Sequence, residues 1–217
     1  APGHPPRRPR TADHQGRAVK VVLVDSGGAN IGSVRYALER LGVAAEMTAD
    51  AEAILGADRV ILPGVGAAAP AMARLNELNL VELLRGLRQP LLGICLGMQL
   101  LFEGSEEGDV ACLGLVPGRV RRMPASPGVR VPHMGWNRLR PTRADPLLAG
   151  VADGAQAYFV HSFAAPVTAD CLASCEHGQP FAAMVRRGNV AGAQFHPERS
   201  GAVGARLLQN FLQAEPA

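Results

Sequence analysis

Apolar and polar positions alternate along this chain in two rhythms. "VKVVLVD", residues 19–25, is apolar with no polar alternation, as a strand buried on both faces requires. "IGSVRYALERLG" then places Val34, Leu38 and Leu41 at helical spacing, with Gly42 as a stop. "VAAEMT" predicts a second strand and "DRVILPG" a third. "PAMARLNELNLVELLRGL" predicts one long amphipathic helix opened by Pro70, and "PLLGIC" the strand after it. Strands alternating with helices predict an α/β domain with a parallel sheet.

Past about residue 110 the rhythm changes. "LGLVPGRVRRM", "VRVPHMGWNRLR", "AYFVHSF" and "CLASCEH" are short strand candidates with no long helix between them. "FAAMVRRGNVAGAQFH" predicts a hairpin around Gly188 and Asn189. "SGAVGARLLQNFLQ" predicts a closing helix with Val203, Leu207, Leu208 and Phe211 inward. No internal repeat is visible.

Composition narrows the class. The 217 residues suffice for one domain with a real core, and 47% are hydrophobic. Aromatics are only 4%, which argues against a stacking platform for single-stranded nucleic acid. The net charge of +3 sits in residues 1–18, where Arg7, Arg8, Arg10 and Arg17 face Asp13 alone. The remaining 18 basic and 18 acidic residues balance, so the body has no electrostatic footprint for nucleic acid. Residues 1–18, with four prolines and no bulky apolar side chain, are expected to be a disordered tail ahead of a single domain over 19–217. No apolar run reaches the ~18 residues of a membrane span, and no secretory apolar segment precedes the first strand. Cys95, Cys112, Cys171 and Cys175 lack zinc-finger spacing. Together these features predict a reducing, cytoplasmic setting with no membrane contact.

Candidate chemistry centres on "LLGICLGMQLLF", residues 91–102. Gly93-Ile94-Cys95-Leu96-Gly97 has the glycine-x-nucleophile-x-glycine form of a nucleophile elbow, with a strand before it and a helix after it. Such a thiol sits at a helix N-terminus, which favours thiolate, and the Leu96 N–H is placed to bind an oxyanion. A buried structural cysteine is the alternative reading. A nucleophilic thiol needs a base, and "GAQFHPERSG" offers one. His196 precedes Pro197 and should be extended, which would put Glu198 on the same side of the chain to orient the imidazole. Pro63-Gly64-Val65-Gly66 follows a strand and is a second candidate oxyanion element. "DSGGAN" lacks the spacing of a dinucleotide loop, so no nucleotide site is expected there.

Together "GICLGMQLL", "LPGVG" and "QFHPE" resemble the nucleophile, oxyanion and His/Glu motifs of the class I (triad) glutamine amidotransferases. "VDSGGANIGSV", "PHMGWN", "YFVHSF" and "QFHPERSG" look like the glutaminase subunits of imidazole glycerol phosphate synthase, in order over about residues 19–214. The resemblance implies a flavodoxin-like α/β fold, with a mostly parallel central sheet flanked by helices and extra antiparallel strands in the C-terminal half. It implies hydrolysis of glutamine to glutamate and ammonia without metal or organic cofactor. A (β/α)8-barrel cyclase subunit (HisF), bound as a heterodimer, would use the ammonia on a phosphoribulosyl-formimino-aminoimidazole carboxamide ribonucleotide. The products would be imidazole glycerol phosphate, for histidine synthesis, and an aminoimidazole carboxamide ribonucleotide.

Carried over by position, Cys95 is the nucleophile, His196 the base and acid, and Glu198 the orienter. Leu96 with Gly64, Val65 and Gly66 matches the oxyanion region. Gln99, Glu107, His161, Ser162 and Phe163 match the glutamine-holding residues, and Tyr158, Arg199, Trp136 and Asn137 the cyclase-facing side. Relatives often carry Tyr where Phe163 stands and Cys where Gly28 stands. An amidotransferase subunit of another synthase and a stand-alone cysteine amidohydrolase are the alternatives; "PHMGWN" and "QFHPERSG" argue against the first.

Overall fold

The computed structural model describes residues 19–27 and 31–214. The Arg-rich segment 1–18 and Gly28 lie outside the described residues. The first half runs β1 (Val21–Val24), α1 (Ile31–Arg40), β2 (Ala45–Thr48), α2 (Ala51–Leu55), β3 (Arg59–Gly64), α3 (Ala68–Glu77), α4 (Val81–Arg85), β4 (Leu91–Cys95) and α5 (Leu96–Leu100). The second half runs β5 (Phe102–Ser105), β6 (Val110–Ala111), β7 (Val116–Arg122), β8 (His133–Arg138), β9 (Arg140–Pro141), β10 (Gln156–His161), β11 (Phe163–Ala164), β12 (Cys171–His177), β13 (Gln179–Arg187), β14 (Val190–Ala193) and α6 (Gly201–Gln213).

The central sheet has the order β2-β1-β3-β4-β14-β13-β12-β9. Pairing from β2 through β14 is parallel and from β14 to β9 antiparallel, as the change of rhythm in the sequence predicts. A two-stranded ribbon, β8-β10, and a four-stranded sheet, β11-β7-β5-β6, complete the fold. The uninterrupted apolar strands serve two cores at once. Val21, Leu23, Ile61 and Ile94 pack with α1 and α6, whereas Val22, Val24, Val60 and Leu62 pack with α3 and α4 on the other face. Among the described residues no helix is long and apolar enough to cross a membrane.

One local expectation is corrected. The long helix expected from Pro70 is two helices and starts earlier, at Ala68. Asn79 adopts a left-handed conformation (φ 56°), and the Leu80 N–H returns to the Leu75 carbonyl, 2.9 Å away. That closure satisfies the carbonyls at the end of α3 and turns the chain before α4 can begin. The helix after Cys95 is also short, because Phe102 already belongs to β5. The hairpin around Gly188 and Asn189 joins β13 to β14 with Arg187 opposite Val190.

Candidate active site

β4 lies between β3 and β14, and its last residue, Cys95, stands opposite Gly64 in the β3 register. Cys95 has φ 55° and ψ −113°, outside the regions a side-chain-bearing residue normally occupies. The neighbouring glycines make this turn possible. A Cβ on Gly97 would stand 1.8 Å from the Leu62 carbonyl oxygen, and one on Gly93 would stand 2.6 Å from the Gly97 carbonyl oxygen. Only bare backbones pack this closely, so the first turn of α5 rests directly on β3 and β4 and the Cys95 side chain is driven outward.

His196 faces that thiol. Its backbone is extended (φ −95°, ψ 101°), as the following proline demands. Its N–H donates to the Tyr158 carbonyl at 3.0 Å, and its Nδ1 lies 2.9 Å from Glu198 Oε1. The two side chains are only 8% and 2% exposed, so the contact is dry. Extended alternation is not what brings Glu198 into place. Residues Pro197–Arg199 form a 3-10 turn that folds the carboxylate back onto the ring. With Nδ1–H donated to Glu198, Nε2 is left for Cys95. Burial disfavours charge on His196, but hydrogen bonds to Cys95 and Glu198 and the negative charge on both outweigh it, raising its pKa to about 10. Burial pushes the thiols of Cys112, Cys171 and Cys175 up to about 11, which leaves them small apolar residues.

A cleft of about 290 Å³ opens beside the thiol. Val65, Gly66, Leu96 and His196 line it with Cys95, and so do all five candidate substrate residues, Gln99, Glu107, His161, Ser162 and Phe163. Glu107 has a structural duty as well, since its Oε2 accepts from the Ala68 N–H at 3.1 Å and caps α3 just past the Gly64–Gly66 segment. His161 is held by the Phe163 carbonyl, 2.8 Å from Nδ1, and by His133 Nδ1, 2.9 Å from Nε2. Burial, with the neighbouring His177 and His196 against a raising contact from Phe163, lowers the His161 pKa to about 4. Burial and the neighbouring His161 and His177 lower that of His133 to about 3.

The four candidate partner-facing residues separate. Trp136 on β8 is 55% exposed and pairs with Tyr158 on β10, ring centroids 5.9 Å apart. The Arg199 guanidinium stacks over the Tyr158 ring at 4.4 Å. These three form one outer surface beside Met134, 63% exposed. Asn137 is not part of it. Its amide is bonded to His133 Nε2 at 3.1 Å and to the Glu176 carbonyl at 2.9 Å.

Two residues of the site were missed in the sequence. Ser200, fully buried, donates to the His196 carbonyl at 2.6 Å and accepts from the Tyr158 N–H at 2.9 Å, tying β10 to the histidine turn. Gln194 is fully buried with its amide 3.9 Å from Cys95 Sγ. Its place two residues before His196, on the same side of an extended chain, was the available signal.

Comparison with known proteins places this arrangement. The family model described as "Glutamine amidotransferase class-I" matches residues 22–214. The chain is 63% identical over 198 residues to the imidazole glycerol phosphate synthase subunit HisH of Xylella fastidiosa (strain Temecula1 / ATCC 700964), spanning 91% of this chain and 99% of that protein. It is 65% identical over 193 residues to the protein of the same name from Xanthomonas euvesicatoria pv. vesicatoria (strain 85-10), spanning 89% and 96%. In fold it resembles a putative GMP synthase subunit from Thermoplasma acidophilum (TM-score 0.68, 20% identity, 89% of this chain and 92% of that one). It is similar as well to PurLQS from Thermotoga maritima (TM-score 0.67, 21% identity, 89% and 97%).

Proposed function

This chain belongs to the class-I glutamine amidotransferases, and from that premise we propose that it is the glutaminase subunit of an imidazole glycerol phosphate synthase. It hydrolyses glutamine to glutamate and ammonia and delivers the ammonia to a (β/α)8-barrel cyclase subunit, in the cytoplasm. The observation that carries this reading is the meeting of Cys95 and His196 at one cleft with Glu198 buried behind the imidazole, in a chain 63% and 65% identical to relatives of that name. The four free thiols fit a reducing compartment.

The mechanism follows from the charge on sulfur. In the resting site His196 is protonated beside Cys95, because a thiolate and a carboxylate outweigh its burial. The thiolate attacks the side-chain carbonyl carbon of glutamine, and the Leu96 N–H and the Gly64–Gly66 segment receive the charge on oxygen. His196 gives its proton to the departing nitrogen, the C–N bond breaks and ammonia leaves. Sulfur is then a neutral thioester, so the anion that held His196 protonated is gone and burial favours the neutral ring. The neutral ring takes a proton from water, whose oxygen attacks the thioester carbon; glutamate leaves and the thiolate returns. Glu198 holds the ring in one tautomer throughout. The surface of Met134, Trp136, Tyr158 and Arg199 is the side offered to the cyclase. An exposed Trp136 beside the half-buried Tyr158 and its stacked arginine has the composition of an interface centre.

The test is a glutaminase assay of the chain alone, with the cyclase, and with cyclase plus its ribonucleotide. Glutamate release that needs Cys95 and rises with the cyclase is expected. Turnover independent of Cys95, or absent in every mixture, overturns the reading.

A further inference from the structure

We infer that Gln194 is a further catalytic residue, whose side-chain N–H donates to the Cys95 sulfur and stabilises its anionic form. The inference deepens the glutaminase reading and rests on Cys95 being its nucleophile.

The argument starts from a carbonyl that can only accept. Gln99 Nε2 lies 3.0 Å from the Phe163 carbonyl oxygen and 3.0 Å from Gln194 Oε1. A Gln99 amide turned the other way would set its oxygen against the Phe163 oxygen, two acceptors with no proton between them. Its nitrogen therefore faces Phe163, and the second hydrogen goes to Gln194. Gln194 must then present its oxygen to Gln99, which turns its own nitrogen toward Cys95 Sγ, 3.9 Å away. One backbone carbonyl thus fixes both amides. That carbonyl is itself held, since His161 Nδ1 lies 2.8 Å from it and His133 Nδ1 lies 2.9 Å from His161 Nε2.

The surroundings make such a donor matter. Gln194 is fully buried and does not line the substrate cleft, so its amide acts on sulfur and not on glutamine. Helix α5 has five residues, a short dipole for a buried anion. The Val160 carbonyl, 4.0 Å from Sγ, can accept from a thiol but opposes a thiolate. Among the side chains described at Sγ, His196 and the Gln194 amide favour the charge. His196 surrenders its proton during each turnover, whereas an amide N–H stays. Gln194 therefore favours the thiolate as it departs from the thioester carbon, beside the ring that has just taken water's proton.

The experiment reads the thiol directly. Cys112, Cys171 and Cys175 are buried with pKa values near 11, so alkylation by iodoacetamide near neutral pH reports Cys95, with Cys95→Ala as the blank. In Gln194→Met, which keeps volume and removes the donor, the rise of the alkylation rate with pH should move to higher pH by about one unit or more, as loss of a hydrogen bond to a charged group implies. The rates of the two proteins should converge at high pH, where every Cys95 is thiolate; a merely loosened site would not give that convergence. In the cyclase complex, kcat for glutamine should fall about tenfold with KM within about threefold, because Gln194 does not line the cleft and Gln99 keeps its bond to the Phe163 carbonyl. An unchanged alkylation profile in folded Gln194→Met overturns the proposal. Should that variant not fold, Gln99→Met removes the amide that orients Gln194, and a folded Gln99→Met with wild-type alkylation overturns it equally. If Cys95 proves dispensable for glutamine hydrolysis the glutaminase reading fails, whereas normal alkylation with Cys95-dependent hydrolysis defeats only the role of Gln194.

Discussion

His133 and His161 share one proton across a 2.9 Å contact, and the bonds at either end decide which way it points. His161 Nδ1 donates to the Phe163 carbonyl, so its Nε2 accepts from His133 Nδ1–H. His133 Nε2 accepts in turn from the Asn137 amide, 3.1 Å away. Each ring carries one hydrogen, and a second on either would replace an acceptor with a donor facing a donor.

This pair makes the fold sensitive to acid. The folded-state pKa values, about 3 and about 4, lie below the unfolded value of 6.5. Unfolded chains therefore bind more protons as pH falls below about 6.5. Stability present above that pH is lost progressively as pH falls toward 4, at about 1.4 kcal/mol per pH unit per histidine. Urea midpoints at pH 7 and pH 5 measure this, in a window that carboxylates scarcely enter. Equal midpoints, or ring ¹⁵N shifts showing His133 charged at pH 5, would contradict the assignment.

The raised pKa of His196, about 10, depends on Cys95 as well as Glu198. Cys95→Ser removes the anionic sulfur and leaves burial opposed by Glu198 alone. Ring titration by NMR should show the His196 midpoint fall by more than one unit. A midpoint still near 10 would assign the whole effect to Glu198.

Cys95→Ala should lower glutamine turnover by about 10⁴-fold or more, with circular dichroism unchanged, because the nucleophile is lost and a small residue fits the elbow. His196→Ala should be similarly damaging. Glu198→Gln should be milder, since an amide can still hold the ring while offering less to its charged form. A larger loss from Glu198→Gln than from His196→Ala would reverse these two roles.

Gly97→Ala should destabilise the domain by about 3 kcal/mol or more. The added carbon meets the Leu62 carbonyl at 1.8 Å, and backbone cannot yield as a side chain can. Gly32→Ala in α1 is the contrast, because its nearest neighbour is a Tyr36 ring atom at 4.0 Å and helix propensity favours alanine by up to about 1 kcal/mol. Comparable denaturation midpoints for the two variants would show that α5 moves aside.

The chain alone should be a poor glutaminase, with turnover rising at least about tenfold on binding cyclase and its ligand. Gly64 and Gly66 flank Val65 at the cleft. Rotation of the Val65 peptide would exchange a carbonyl for an oxyanion donor, which is worth about 10²- to 10³-fold. Equal turnover with and without the liganded partner would eliminate this switch. The Cys95→Ala complex should still form imidazole glycerol phosphate from added ammonium; loss of that reaction would place Cys95 in the synthase step.

The sequence by itself determined the features that steric demand writes locally. Unbroken apolar runs belong to strands with helices on both faces, and Val21 and Val22 do enter opposite cores. Gly93 and Gly97 around Cys95 signal a turn that only glycine permits, and a histidine before proline must be extended. Tertiary structure decided everything that depends on which distant atoms meet. Gln99 and Gln194 are 95 positions apart, and Ala68 and Glu107 are 39 apart, yet each pair shares a hydrogen bond. Trp136 and Asn137 are adjacent, but strand alternation turns one outward and the other onto His133. Periodicity places a side chain on a face; only the packed chain shows which donor finds which acceptor there, and that pairing sets the protonation of the histidines and the direction of the amide beside the thiol.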